Sequence, residues 1–223
     1  YESLPAKVLW QRLTQSAYDF SEPGVLFIDQ IQRDNNLLAL ETIEATNPCG
    51  EQPLPPYGGC DLGPLILPRF VRNPFGLAGD ATFNFSAFEA SVALQVRALD
   101  NVLDLTFWPL QQQREEAMGK RRIGVGLTGL GNALTMLCLR YDSDAGRAMA
   151  ARIGQCMRDA AYRASIGLAI EKGAFPKFNP HTYFSGGNFA CRLPETLQQA
   201  IRAHGIRNSH LLAIAPAGSV SLA

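Results

Sequence analysis

The run Asn47-Pro48-Cys49-Gly50-Glu51 sets an amide, a thiol and a carboxylate at alternate positions, and Cys60 follows eleven residues after Cys49. The segment holds too much Pro and Gly to be helix. In an extended loop, residues i, i+2 and i+4 project to one side. Asn47, Cys49 and Glu51 are therefore expected to face one substrate together, as a hydrogen-bonding amide, a sulfur and a group able to take or give a proton. The cluster Pro53-Leu54-Pro55-Pro56-Tyr57-Gly58-Gly59 is placed to fold the chain back and return the Cys60 thiol to the same site. A buried structural cysteine in a turn is the alternative that spacing alone leaves open.

A second candidate lies at Ala215-Pro216-Ala217-Gly218-Ser219-Val220-Ser221, directly after the apolar Leu211-Leu212-Ala213-Ile214. A strand entering a Gly/Ser-rich turn offers backbone N–H groups and hydroxyls to an anion, and a plain β-turn is the equal alternative. Gly124-Val125-Gly126-Leu127-Thr128-Gly129 fits the dinucleotide pattern G-x-G-x-x-G. That pattern needs a strand before it, and Met118 to Arg122 makes a poor buried strand. Close backbone packing between a short strand and a helix explains these glycines better than a nicotinamide or flavin site.

The elements that must position these residues follow from periodicity. Val8, Leu9, Leu13, Ala17 and Tyr18 recur at helical spacing over residues 5–20, with Glu22-Pro23-Gly24 as a stop. Val25 to Ile28 fits strand or helix, and residues 71–84 read as an exposed connection. A helix is predicted from Ser86, with Ser86 and Glu89 as a capping box, through Phe88, Val92, Val96, Leu99 and Leu103. Further helices are predicted over about 128–139 and 143–172, the second closed by Gly173. Pro194 as a first helical residue and Gly205 past the end bracket another. Leu211 to Ile214 should be a strand buried on both faces. Strands alternating with helices make the fold class α/β.

Composition narrows the classes. The chain has 223 residues, formal net charge zero, 47% hydrophobic and 18% charged residues, so it is one domain or a large piece of one. Neutral charge gives no footprint for a nucleic acid polymer and no polybasic patch for a membrane. No apolar run is long enough to span a bilayer, and no signal peptide opens the chain. Five irregularly spaced cysteines do not read as a secreted disulfide framework. A reducing cytoplasm is the expected location. The start without Met and the end at Ser221-Leu222-Ala223, just after a functional-looking loop, read as a fragment, a separate domain or one half of a split protein.

Asn47-Pro48-Cys49-Gly50-Glu51-Gln52-Pro53-Leu54 and Gly58-Gly59-Cys60-Asp61-Leu62-Gly63 together resemble the finger loop of ribonucleotide reductase large subunits. Their closest resemblance is to the adenosylcobalamin-dependent (class II) branch. Glu22 to Asp29, Arg121 to Leu130 and Gly205 to Leu212 agree with the same family, so the likeness covers nearly the whole chain. It implies part of a ten-stranded α/β barrel with the catalytic loop inside, over one partial barrel domain spanning 1–223 with its finger loop at about 44–64. It also implies Cys49 as a thiyl that takes the ribose 3′-hydrogen, Glu51 as general base on the 3′-hydroxyl, Asn47 orienting the ribose, and Cys60 as one of a redox thiol pair. The substrate diphosphate would bind Pro216, Ala217, Gly218, Ser219, Val220 and Ser221.

The family's usual pattern has Thr where Ala217 stands, and a Ser-Ile-Asn-Leu-like run where this chain has Pro64-Leu65-Ile66-Leu67. The second thiol of the pair lies far upstream in the family, and no Cys precedes Cys49 here. Cys138, Cys156 and Cys191 are poor substitutes: Cys138 and Cys156 fall in predicted helices and read as core or incidental residues. Asn208 and His210 match a family segment, with a satisfied structural histidine expected. The expected cofactor is adenosylcobalamin. The expected partners are a ribonucleoside diphosphate substrate, an N-terminal half of the barrel, a thioredoxin-like or dithiol reductant and a second copy in a homodimer. The alternative is a non-catalytic fragment or split-reductase subunit acting by association. A glycyl-radical enzyme of the same barrel type would need a radical loop that is not in this sequence.

Overall fold

Three parallel backbone segments, 61–66, 123–128 and 211–213, carry the rest of the chain. The computed structural model describes residues 3–218 and 220–222. Helix α1 (Ala6–Phe20) follows the predicted spacing, yet none of its residues is buried. The apolar run after it stays irregular through Phe27, and Ile28 is the first residue of α2 (Ile28–Asp34). Strands β1 (Ala45–Thr46) and β2 (Pro53–Leu54) pair antiparallel, with Ala45 opposite Leu54. Strand β3 (Asp61–Ile66) leads through a 3-10 turn at Leu67–Phe70 into β4 (Val71–Arg72), which pairs antiparallel with β5 (Thr82–Phe83). The stretch read as an exposed connection is therefore a small hairpin. It is held because Phe83 is buried in an aromatic cluster with Phe70, Phe85 and Phe88.

Helix α3 (Phe85–Leu105) packs Phe88, Val92, Val96, Leu99 and Leu103 into the core, at the predicted helical spacing. Fully burying each such side chain stabilises by about 1.5–3 kcal/mol. Its cap is Asn84, whose side-chain oxygen accepts from the Ala87 N–H at 3.3 Å, rather than the predicted Ser86. Glu89 does not close a capping box: it bonds Arg163 at 3.1 Å instead, across the packed helix pair. Helix α4 (Gln111–Lys120) then leads into β6 (Ile123–Thr128). Helix α5 (Leu130–Met136) is shorter than predicted because Thr128 still belongs to β6 and Gly129 turns the chain with φ +74°. Cys138 consequently lies past that helix, exposed.

Helix α6 (Asp144–Lys172) matches its prediction at both ends, with Ser143 Oγ accepting from the Gly146 N–H at 3.0 Å and Gly173 as C-cap. A short α7 (Pro180–Tyr183) precedes α8 (Glu195–His204), where Pro194 is the N-cap rather than the first helical residue. Strand β3 pairs with β6 in parallel over six residues, from Asp61 opposite Ile123 to Ile66 opposite Thr128. On the other side of β6, Val125 N–H donates to Leu211 O at 2.8 Å, and Ala213 N–H donates to Val125 O at 3.0 Å.

The predicted strand 211–214 is thus an edge segment. Leu211 and Ala213 are buried, Leu212 is half-buried and Ile214 is exposed, so it is not covered on both faces. Gly124 and Gly126 sit inside β6, and a Cβ at Gly126 would lie 2.3 Å from Ala213 O. These glycines serve strand-to-strand approach, which corrects the strand-to-helix contact expected of them and removes the dinucleotide reading. Pro64 is tolerated because β3 has one ladder neighbour, β6, among the described residues.

Candidate active site

The Cys49 loop is the turn of the β1–β2 hairpin, and its hydrogen bonds show why it is not extended. Asn47 N–H donates to Gln52 O at 3.2 Å, Gln52 N–H donates to Asn47 Oδ1 at 2.9 Å, and Gly50 N–H donates to Asn47 O at 3.0 Å. Gly50 takes φ +85°, a conformation that favours glycine. The alternation expected of positions 47, 49 and 51 therefore does not hold. The Asn47 amide oxygen closes the loop and its NH2 end is the part still able to donate. Cys49 stands exposed at the tip. Glu51 turns inward, with Oε2 buried and without a hydrogen-bond partner.

Glu51, Gln52 and Pro53 form one wall of a cleft of about 400 Å³, and His210, Leu211 and Leu212 form part of another. The cleft thus joins the hairpin to the segment that leads into residues 215–221. Neither Cys49, Cys60 nor any described residue of 215–222 lines it. His210 is fixed in one tautomer by its neighbours. Asn35 Oδ1 already accepts from Leu37 N–H at 2.9 Å, and the Asn35 NH2 donates to Glu41 Oε1 at 3.1 Å. His210 Nε2 must therefore donate to Asn35 Oδ1 at 3.0 Å, leaving Nδ1 to accept from Ser209 Oγ at 3.0 Å. Burial first, then the charges of Arg122 and Lys120, hold the imidazole well below its ordinary pKa, so it stays neutral. The expectation of a satisfied structural histidine fits this arrangement.

Two buried ionic networks hold the strands, and the sequence reading missed both. Asp100 accepts from Arg121 Nε at 2.7 Å, from the Asn208 amide at 3.0 Å and from Arg207 Nε at 3.3 Å. Burial alone would raise the Asp100 carboxyl, but the Arg121 hydrogen bond and the Arg121 and Arg207 charges hold it below the usual range. Asn208 also donates to Arg121 O at 3.1 Å, and Ser165 Oγ donates to Asn208 Oδ1 at 2.9 Å, so Asn208 locks the 208–213 segment to the start of β6. In the second network Glu41 accepts from Lys120 Nζ at 2.6 Å and from Arg122. The signal was legible in principle. Three consecutive cations next to an apolar strand must be paired once they are buried.

Cys60 is half-buried and its Sγ donates to Asp61 O at 3.3 Å. Burial first, then the Asp61 charge, raises its thiol pKa far above the ordinary value. In the 215–221 loop, Ser221 N–H donates to Ala217 O at 2.9 Å and Ser221 Oγ donates to Gly218 O at 2.6 Å. Both Ser221 donors are thus engaged inside the turn. Pro216, Gly218 and Val220 are exposed and Ala217 is half-buried, while Ser219 lies outside the described residues. Cys156 lies 3.8 Å from Glu89, and no group of three or more metal-ligating side chains forms among the described residues. No described helix is long and apolar enough to cross a membrane.

A family model described as the ribonucleotide reductase barrel domain matches residues 1–223. The chain is 34% identical over 98% of its length to a vitamin B12-dependent ribonucleoside-diphosphate reductase of Mycobacterium tuberculosis, covering 28% of that protein. It is 31% identical to the protein of the same name from Thermoplasma acidophilum, covering 26% of it. It is 30% identical to the ribonucleoside-diphosphate reductase large chain of Encephalitozoon cuniculi, covering 29% of it. The chain therefore spans under a third of the length of these relatives.

Proposed function

The chain belongs to the ribonucleotide reductase barrel-domain family, and from that premise we propose that it is the finger-loop portion of an adenosylcobalamin-dependent ribonucleoside-diphosphate reductase. The observation that carries this reading is the cleft shared by Glu51 and the Leu211–Leu212 segment, with an unpartnered Glu51 oxygen at its wall. A carboxylate oxygen kept from water and from protein donors is free for a substrate hydroxyl. Its neighbour two residues back, Cys49, is exposed on the same turn, so a thiol and a base are carried by one tight loop.

In this reading Cys49 loses its thiol hydrogen and, as a thiyl, takes the ribose 3′-hydrogen. Glu51 then accepts the 3′-hydroxyl proton, and the 2′-hydroxyl takes a proton from the redox thiol pair and leaves as water. The pair's second hydrogen goes to C2′, and Cys49 and Glu51 return their hydrogen and proton to the 3′ position. The NH2 end of Asn47 holds the ribose, since its oxygen already closes the loop. Cys60 supplies one of two thiols that close to a disulfide, with its partner thiol outside the sequence given. Residues 216–221 cradle the diphosphate. Adenosylcobalamin, when bound, supplies the initiating radical by homolysis of its cobalt–carbon bond. The fit of this chain to that group rests on the Cys49 sulfur, which the hairpin tip leaves open to approach from outside.

The partners follow from the same reading. A ribonucleoside diphosphate is the substrate, a thioredoxin-like protein or other dithiol re-reduces the disulfide, and an N-terminal half completes the barrel. Edge strands β3 and 211–213, together with the exposed Val8, Leu9, Trp10 and Phe27, support packing against that half, and a homodimer is the expected assembly. Cytoplasmic location agrees with five free thiols.

The test is deoxyribonucleotide formation by this chain joined to the upstream half, with adenosylcobalamin, a ribonucleoside diphosphate and a dithiol. Wild type should give cofactor-dependent product, and Cys49→Ala should lose it by a factor of at least about 10³. A folded wild type without product would favour the non-catalytic, association-only reading.

A further inference from the structure

Gln52 is 5% exposed, and Asn47 holds its backbone from both sides, at 2.9 Å to the N–H and 3.2 Å to the carbonyl oxygen. Its side chain reaches across to β6, where a Cβ added at Gly124 would lie 3.0 Å from Gln52 Nε2. Neither end of the carboxamide has a hydrogen-bond partner among the described residues, yet neither end is sealed in as Glu51 Oε2 is. The little surface that Gln52 keeps therefore includes its amide, at the wall of the cleft that Glu51 also lines.

Packing alone does not account for this side chain. An apolar residue of the same length would fill the space over Gly124 without leaving an amide unpaired. The other polar side chains of the cleft are committed elsewhere. Asn36 donates to the Tyr162 hydroxyl and to Ser209 O, both at 3.2 Å, and accepts from the Ala190 N–H at 3.0 Å. Asn35 and His210 bond each other and their neighbours, and Asp34 accepts from Arg192 at 2.9 Å. What remains for a ligand is the Glu51 carboxyl and the Gln52 amide, on consecutive residues of one wall.

We propose that the Gln52 carboxamide holds the substrate ribose at its 2′-hydroxyl, beside the 3′-hydroxyl that Glu51 serves. This rests on the reading of Glu51 as the base and deepens it. The two hydroxyls stand on neighbouring carbons of the sugar, as the two side chains stand on neighbouring residues of the cleft wall. Their chemistry divides as the reaction requires. A carboxylate only accepts, which suits the hydroxyl that loses its proton. The carboxamide NH2 only donates, so it holds the 2′-oxygen without competing for the proton that this oxygen takes from the thiol pair. Gln52 itself exchanges no proton. The product has no 2′-oxygen, so the hydrogen bond is lost once reduction is complete, and the deoxyribonucleotide binds more weakly than the ribonucleotide.

The experiment is equilibrium binding, by titration calorimetry, of a ribonucleoside diphosphate and its 2′-deoxy counterpart to this chain joined to the upstream half. Adenosylcobalamin and dithiol are left out, so nothing turns over. Wild type should bind the ribonucleotide roughly tenfold more tightly than the deoxyribonucleotide. Gln52→Met keeps the length of the side chain without its amide. It should bind the deoxyribonucleotide as wild type does, with the preference reduced to about twofold or less. Equal affinities in wild type, or a preference unchanged in Gln52→Met, would overturn the proposal. If that variant does not fold, the side-chain NH2 resonances of Gln52 in wild type decide. They should move with the ribonucleotide and stay with the deoxyribonucleotide, and identical behaviour with both overturns the proposal. A wild type that binds neither nucleotide overturns the functional reading and this proposal with it, whereas binding without discrimination overturns this proposal alone.

Discussion

Asp100 has no exposed surface, yet it carries a charge, and three donors from two parts of the chain make that tolerable. Removing one donor leaves buried charge uncompensated. Asn208→Ala should therefore lower unfolding stability by about 2 kcal/mol in urea titration. Asp61 poses the opposite case, a buried carboxyl without donors. Its folded pKa, pushed up to about 7, exceeds the ordinary carboxylate value, so the folded state holds this proton to higher pH than the unfolded chain. Stability from this group is then present at acid pH and lost as pH rises from about 4 to about 7. Asp61→Asn should accordingly gain little over wild type near pH 4, and on the order of 1–2 kcal/mol at pH 8, a figure discounted for partial exposure. Equal gains at both pH values in urea unfolding would count against the buried-acid assignment.

At the scale of elements, β6 is the member that must be bare of side chains on one face. A Cβ at Gly126 would meet the Ala213 carbonyl oxygen at 2.3 Å, and backbone cannot yield as a flexible side chain can. Gly126→Ala should cost about 2–4 kcal/mol by pushing the 211–213 segment off the sheet. Gly154→Ala is the matched control. It lies in α6 with nothing within 4 Å of the added atom, so it should stabilise by up to about 1 kcal/mol. Thermal unfolding of both variants reads the difference. Helices α3 and α6 were legible because their apolar residues recur at helical spacing over six and eight turns' worth of chain or so. The β1–β2 hairpin was not, because its strands are two residues long and too short for any period.

For the molecule as a whole, α1 is an outlier. It buries no residue, and Tyr18 and Phe20 are 87% and 76% exposed. Deleting residues up to Ser21 should therefore change the unfolding free energy of this chain by less than about 1 kcal/mol. A larger loss would show that α1 contributes to the core. The parallel order of 61–66, 123–128 and 211–213 leaves an open sheet with two edges among the described residues. That is the form a stretch of the family's barrel takes when considered alone.

By itself the sequence determined the family, through five ordered motifs, the α/β class, and the two long helices, the second with its Gly173 stop. Those features are local, or repeat at a fixed period, so one chain is enough to read them. Tertiary structure alone decided that Asn47 closes its own loop, that Glu51 rather than Cys49 lines the cleft, and that Gly126 makes room for Ala213. It also decided that Lys120, Arg121 and Arg122 are buried and paired. Each of these depends on atoms brought together from distant parts of the chain, and no local pattern encodes a partner about eighty residues away.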